Sequence, residues 1–158
     1  MIIRQATVED LERVMSFPQT REELFYIYPS AQFPLTVEQL KSSFEAREGN
    51  TAVELNGEVV AFANYISVKE KELAVIGNVI VAPMYRGQGV GKNLINYMFS
   101  NVYERYGCLA VDIPCFNTNT RGLVFYHRLG FIPYRAEEKT DFNGQPVLLL
   151  YLKRKIEA

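Results

Sequence analysis

The stretch Val79-Ile80-Val81-Ala82-Pro83-Met84-Tyr85-Arg86-Gly87-Gln88-Gly89-Val90-Gly91-Lys92 constrains the fold more than any other part of the sequence. An apolar run suited to a buried strand ends at Pro83 and passes through a turn with glycine at three alternate positions. It then enters a segment whose Leu94, Ile95, Met98, Phe99 and Val102 recur at helical spacing. Glycine admits backbone conformations closed to other residues and lets the chain approach a ligand closely. The first turn of a helix offers N–H groups without internal partners at the positive end of the dipole, and together these bind phosphate. Arg86 and Lys92 add cationic charge beside those donors. This stretch therefore predicts a strand, turn and helix built around an anion. The plainer reading is that the glycines only shape the turn, but three of them between two cations exceed what a turn needs.

The remaining elements follow from periodicity and punctuation. Residues 1–5 read as a short strand. Thr7 and Asp10 form a capping-box pair opening a helix with Leu11, Val14 and Met15, which Pro18 ends. Thr36 and Gln39 repeat the signal ahead of Val37, Leu40 and Phe44, and this helix stops near Gly49. Between the two, residues 20–36 place Phe25, Tyr26, Tyr28 and Phe33 among Pro29 and Pro34 and read as a long aromatic loop. From Thr51 the period becomes that of strands. Asn56-Gly57 joins 51–55 to 58–68 as a hairpin, and a polar turn at 69–72 leads into 73–81, apolar enough for cover on both faces. Residues 89–106 form an amphipathic helix, 109–113 a strand, and 120–129 a helix closed by Gly130. Residues 132–139 and 147–155 are two final strands about Asn143-Gly144. The strand–helix–strand unit around 89–106 implies one parallel pair with a right-handed crossover. The expected fold is α/β (α+β): a mixed, mostly antiparallel central sheet with one splayed parallel strand pair, flanked by helices, in a single domain over 1–158.

Composition narrows the class of partner. The 158 residues carry a formal charge of -1, so no overall basic field points to nucleic acid or an anionic membrane. Lys153-Arg154-Lys155 reads as a solvated chain end. Cys108 and Cys115 stand seven apart, an odd spacing that on one strand turns them to opposite faces and argues against a disulfide. With one histidine, His127, there is no zinc-like ligand set and no metal is expected. The N-terminus lacks a signal-peptide core and no run is long enough to span a bilayer, so a reducing, cytoplasmic setting is expected.

Spacing decides between phosphate ligands. A P-loop needs glycine five residues before Gly91, where Arg86 stands, and Ser or Thr after Lys92, where Asn93 stands. A dinucleotide fingerprint starting at Gly87 needs a third glycine where Lys92 stands. The sequence instead resembles the GCN5-related N-acetyltransferases (acyl-CoA N-acyltransferase fold). Their Arg/Gln-x-x-Gly-x-Gly/Ala motif, after a strand ending in Val-x-Pro, is matched by Arg86, Gly89 and Gly91 after Val81-Ala82-Pro83. Their Asn-x-x-Ala, Tyr and Gly-Phe element is matched by Asn119, Tyr126, Gly130 and Phe131, with Gly122 in place of alanine. The resemblance implies an enzyme that moves an acetyl group from acetyl-CoA to a small-molecule or peptide amine. It implies that the backbones of Val79, Ile80 and Val81 pair with the pantetheine arm as an added strand. The amides of Gly87, Gln88, Gly89, Val90, Gly91 and Lys92 would hold the pyrophosphate beside Arg86, so a side chain at Gly89 or Gly91 would collide with it. Asn119 would bond the pantetheine, and Tyr126 would lie beside the sulfur.

The chemistry needs a neutral amine, a donor to the oxyanion and a proton for the departing thiolate. A phenol of pKa about 10 suits the last of these, which nominates Tyr126; a core tyrosine is the plainer reading. Asp112, set among Leu109, Val111 and Ile113, is the candidate base, with Glu54 and Glu72 behind it; an aspartate at a strand end serving a loop is the plainer alternative. The family often works through water without a dedicated base. His127 should face away. Phe25, Tyr26 and Tyr28 are the candidate acceptor residues, with Glu22 or Glu23 as a counter-charge. The final strands are natural places for a homodimer contact. A module of the same fold that holds acyl-CoA as a regulatory ligand without turnover is the main alternative.

Overall fold

The apolar run at the centre of the sequence becomes the middle strand of a seven-stranded sheet in a computed structural model, which describes residues 1–157. Strands β1 (Ile2–Gln5), β2 (Glu48–Leu55), β3 (Glu58–Lys69), β4 (Leu73–Val81), β5 (Ala110–Phe116), β6 (Ile132–Thr140) and β7 (Pro146–Lys155) lie in the order β1-β2-β3-β4-β5-β7-β6. Every neighbouring pair is antiparallel except β4 and β5. The expected mixed sheet with one parallel pair is therefore the fold adopted. The Asn56-Gly57 hairpin has both residues at positive φ, 51° and 81°, the conformation that matches strand twist in a two-residue turn.

Five helices cover the two faces. On one side lie α1 (Leu11–Val14, after a 3₁₀ turn), α2 (Arg21–Ile27) and α3 (Val37–Ala46). Their Leu11, Val14, Leu24 and Leu40 pack with Phe62 and Ile80 of the sheet. On the other side lie α4 (Val90–Tyr106) and α5 (Thr120–Arg128), whose Leu94, Ile95, Met98, Val102 and Tyr126 pack with Val60, Tyr65, Ile76, Val111 and Ile113. The caps behave as the sequence predicts at two helices: Thr7 N–H donates to Asp10 Oδ2 at 2.7 Å, and Thr36 Oγ1 accepts from Gln39 N at 3.3 Å.

Three local readings change. Residues 20–36 are not all loop, because Thr20 Oγ1 accepts from Glu23 N at 3.1 Å and opens α2 with the same device. Cys108 lies before β5 rather than on it, so strand alternation does not apply; both cysteines are free and buried in the same core cluster. Lys153-Arg154-Lys155 is part of β7, not a solvated end, with the Arg154 guanidinium 4.1 Å from the centre of the Phe99 ring. Among the described residues no helix is long and apolar enough to cross a membrane.

Tyr65 joins the sheet to α4. Its ring is fully buried and its hydroxyl donates to Met98 O at 2.8 Å while accepting from Asn101 Nδ2 at 3.2 Å. Burial pushes the phenol up to about 12. Tyr65→Phe should cost about 1 kcal/mol in urea denaturation and Tyr65→Ala about 3–5 kcal/mol. The pH dependence has a definite sign. Between about pH 10 and 12 the unfolded phenol has lost its proton and the folded one keeps it, so wild-type stability falls through that window. The Phe variant should lack that part of the decline.

Candidate active site

Strands β4 and β5 share only three residue pairs, Leu73 with Ala110, Ala74 with Val111 and Val75 with Asp112. Beyond them the strands part, and a cleft of about 390 Å³ opens between residues 75–79 of β4 and Ile113, Pro114 and Phe116 of β5. The backbone of β4 from Ile76 onward thus has no strand on that side. A bulge in β4 coincides with the parting: Phe62 pairs with Ile80 and Asn64 with Gly77, so β4 spends one extra residue there, and Asn78 takes a positive φ of 50°.

A buried polar network holds the bulge. Asn78 Oδ1 accepts from Ser43 Oγ at 2.6 Å, Arg47 Nη1 at 2.8 Å and Asn64 Nδ2 at 3.1 Å, while Asn78 Nδ2 donates to Ile27 O at 2.7 Å. Asn64 Nδ2 also reaches Asn50 Oδ1 at 3.1 Å. Sequence reasoning missed these residues. Two asparagines inside apolar strand runs carry the same signal that singled out Asp112, since a polar residue there needs a partner.

The glycine loop stands at the start of α4. The helix ladder begins with Asn93 N donating to Gly89 O at 3.1 Å, so the amides of Val90, Gly91 and Lys92 precede it. Gly89 caps the helix at φ 85° and Gly87 lies at φ 74°. A Cβ built on either would meet nothing within 4 Å, so the space beside both is open. Gly91 differs from expectation. Its Cβ would approach Phe125 Cζ to 3.1 Å and Val81 Cγ2 to 3.5 Å, so this glycine lets α4 and α5 pack closely rather than clearing room for a ligand. Lys92 is exposed and has no ion pair among the described residues. Gln88 Nε2 donates to Met84 O at 2.8 Å. Arg86 is engaged elsewhere: Nε donates to Val81 O at 3.1 Å and Nη1 to Glu23 at 2.7 Å. Burial opposes ionisation of Glu23, but Arg86 and the Gln19 amide outweigh it and hold the carboxyl below its usual range.

Tyr126 lines the cleft, and its hydroxyl makes no hydrogen bond to the described residues. Burial, with Cys115 nearby, pushes the phenol well above its ordinary range. Asn119 serves as N-cap of α5, its Oδ1 accepting from Gly122 N at 3.0 Å. Asp112 is buried yet does not line the cleft. It accepts from Tyr134 Oη and lies 3.7 Å from Lys153 Nζ, and its Oδ1 has no hydrogen-bond partner. Glu54 and Glu72 pair with Arg4 and Lys69 away from the cleft, and His127 is exposed. The aromatic residues divide. Tyr26 lines the cleft, Phe25 stacks on Phe116 with ring centres 4.3 Å apart, and Tyr28 Oη donates to Gln39 O at 3.1 Å. Neither Glu22 nor Glu23 lines it. Among the described residues no group of three or more His, Cys, Asp or Glu could hold a metal ion.

Gly122 explains its own departure from alanine. A methyl there would come within 2.5 Å of Asn119 Nδ2 and 3.0 Å of Cys115 Sγ. Gly122→Ala gains about 1 kcal/mol of helix propensity but loses about 1 kcal/mol of cap and costs about 1–3 kcal/mol in overpacking. The net expectation is a less stable protein by calorimetry, by about 1–3 kcal/mol.

The comparisons with known proteins agree with this geometry. A family model described as the acetyltransferase (GNAT) family matches residues 9–131, which include the strand, glycine loop and helix and run through α5 to Phe131. An uncharacterised N-acetyltransferase of Methanocaldococcus jannaschii is 35% identical over 102 residues, covering 61% of this chain and 42% of that protein. This chain thus spans less than half the length of that relative. The ribosomal-protein-alanine N-acetyltransferase of Brucella melitensis superposes with a TM-score of 0.80 at 22% identity, over 99% of this chain and 100% of that one. A Salmonella typhimurium protein solved with its cofactor acetyl-CoA does so with a TM-score of 0.78 at 19% identity, over 100% and 95%. At those identities the structural likeness speaks to fold, and the family match carries the assignment: the chain belongs to the GNAT family of acetyltransferases.

Proposed function

We propose that this protein transfers an acetyl group from acetyl-CoA to the amine of a small molecule or peptide by direct attack. The observation that carries the reading is the parted β4 and β5, with the hydroxyl of Tyr126 in the cleft and open space beside Gly87 and Gly89 at the start of α4. A thioester bound there would supply an acyl carbon open to an amine and a thiol leaving group. The residues suit such a ligand. Val79, Ile80 and Val81 lie on the β4 edge that has no neighbour strand, with Val81 O already accepting from Arg86 Nε, and an amide-bearing arm can pair with the main-chain groups left on that edge. The amides of Val90, Gly91 and Lys92, with the helix dipole, suit a pyrophosphate beside the glycines, and Lys92 adds exposed positive charge. Arg86 supports the loop through Val81 and Glu23.

Tyr126 keeps its proton at every physiological pH, because burial disfavours the phenolate. What it offers a sulfur gaining negative charge is a directed hydrogen bond; the burial that keeps the phenol protonated leaves the departing thiolate to take its proton from water. Asp112, committed to Tyr134 and facing Lys153, is not positioned to meet the amine directly. The amine proton in this reading leaves through water in the cleft. Tyr26 forms part of the acceptor wall.

The tests separate binding from turnover. Acetyl-CoA at a hundredfold excess over its dissociation constant should stabilise the protein by about 2.7 kcal/mol, and Gly89→Val should abolish that shift. An unchanged shift in the variant removes the loop from cofactor binding. Tyr126→Phe should keep the shift and lose turnover by about a hundredfold, measured as coenzyme A thiol release with an amine panel. The wild-type rate should show no alkaline decline from Tyr126 up to about pH 10, the ordinary phenol value. A protein that only holds the thioester would give the shift without thiol release. Tyr26→Ala should raise KM for the amine and leave KM for acetyl-CoA unchanged, whereas Tyr28→Ala should lower thermal stability alone.

A further inference from the structure

Arg47, which follows α3, places its guanidinium over the β3–β4 pair where the bulge opens the cleft. Its Nη1 donates to Asn64 Oδ1 at 3.2 Å and to Asn78 Oδ1 at 2.8 Å, and both asparagines are buried. A Cβ on Gly77 would lie 2.4 Å from Ile66 Cγ1 and 3.1 Å from that same nitrogen, so the bare backbone makes room for Ile66 first and for the guanidinium beside it. Nε and Nη2 make no hydrogen bond to the described residues. One edge of a planar five-donor fork is thus held by neutral amide oxygens, and the other is left to the cleft that Arg47 lines.

The charge of this fork is uncompensated. No carboxylate among the described residues pairs with Arg47. No Asp or Glu lines the cleft at all. The other cation lining it, Arg135, already pairs with Glu137 and stands 3.8 Å from the centre of the Tyr151 ring. Burial pulls the Arg47 guanidinium below its usual value, as expected for a cation taken from water without a counter-ion. A cleft of this sign does not suit a polyamine or any acceptor that is cationic throughout. It suits a molecule that brings its own anion.

We propose that the acceptor amine also carries a carboxylate, and that Arg47 binds this carboxylate through its free edge. Asn64 and Asn78 hold the fork in place, and the bulge sets it at a fixed position relative to the open edge of β4. The inference rests on the acetyl-transfer reading for the amine and on the cleft alone for the carboxylate. The carboxylate belongs either to a free amino acid or to an acidic side chain close to a peptide N-terminus.

The test is calorimetric binding to protein saturated with coenzyme A, followed by acetylation of the same compounds with acetyl-CoA. The probes are free amino acids, their carboxamides, and C-terminally amidated dipeptides with Glu or Gln in the second position. Carboxylated probes should bind on the order of tenfold to a hundredfold more tightly than their amide partners, the range of a charge-assisted hydrogen bond. Arg47→Gln should remove that difference, and Arg47→Lys should restore only part of it because an ammonium cannot form the paired contact. A preference for free amino acids identifies an α-carboxylate, and a preference for Glu over Gln peptides identifies a side-chain carboxylate. Equal binding of acid and amide to the wild type, or an equal loss for both in Arg47→Gln, overturns the proposal. If Arg47→Gln fails to fold, Arg47→Lys and the wild-type comparison of acid with amide still decide it. Carboxylate-dependent binding without acetylation would sustain Arg47 as the anion site and remove the transfer reading instead.

Discussion

Beyond Val75 and Asp112 the two central strands stop sharing hydrogen bonds, and the rest of the molecule is arranged around that parting. Main-chain donors and acceptors along β4 would ordinarily be spent on a neighbour. Here they face a cleft, and a ligand with amides of its own can take the missing strand's place. The parting persists because β4 carries an extra residue at its bulge, and Asn78 is fixed there in a left-handed conformation by bonds to Ser43, Arg47, Asn64 and the carbonyl of Ile27. A β-branched residue at Asn78 could neither adopt that backbone readily nor complete the network.

The same parting divides the labour between the two faces of the sheet. The glycine loop and the start of α4 present backbone amides and the positive end of a helix dipole to open space. The α2 side provides side chains, Tyr26 and Ile27 among them, with Arg47 and Arg135 as the only charged groups in the lining. Arg86 connects the two, bonding the end of β4 with one nitrogen and Glu23 of α2 with another. Both partners of that ion pair are about a third exposed, so solvent screens it. Its value lies in fixing the loop against α2 more than in stability.

Asp112 is a buried carboxylate held by neighbouring strands. It bonds the hydroxyl of Tyr134 on β6 and faces Lys153 on β7, whose ammonium lies 4.5 Å from the centre of the Tyr134 ring. The group ties three strands together just where β5 leaves β4. An aspartate in an apolar strand needs a partner, and here Tyr134 of a neighbouring strand supplies it.

Much of this was legible before any coordinates. Hydrophobic periodicity, the caps at Thr7 and Thr36, the Asn56-Gly57 turn and the strand–glycine–helix unit are local signals, so they located most elements and the glycine loop. Asn119, Tyr126, Gly130 and Phe131 added a family resemblance that the matching model shares. Other features depended on distance in sequence. Helix α2 was missed although Thr20 caps it as Thr36 caps α3, because the prolines and aromatics beside it masked a short element. Gly91 answers to Phe125 and Gly122 to Asn119 and Cys115, contacts that exist only once α5 packs beside α4 and β5. Arg47 carries no signal of its own in the sequence. What sets it apart is the company of Asn64 and Asn78, the space at Gly77 and the absence of any carboxylate lining the cleft among the described residues. Local chemistry determined the elements and the glycine loop, while only the packing of residues far apart in the chain decided which side chains face the cleft and with what charge.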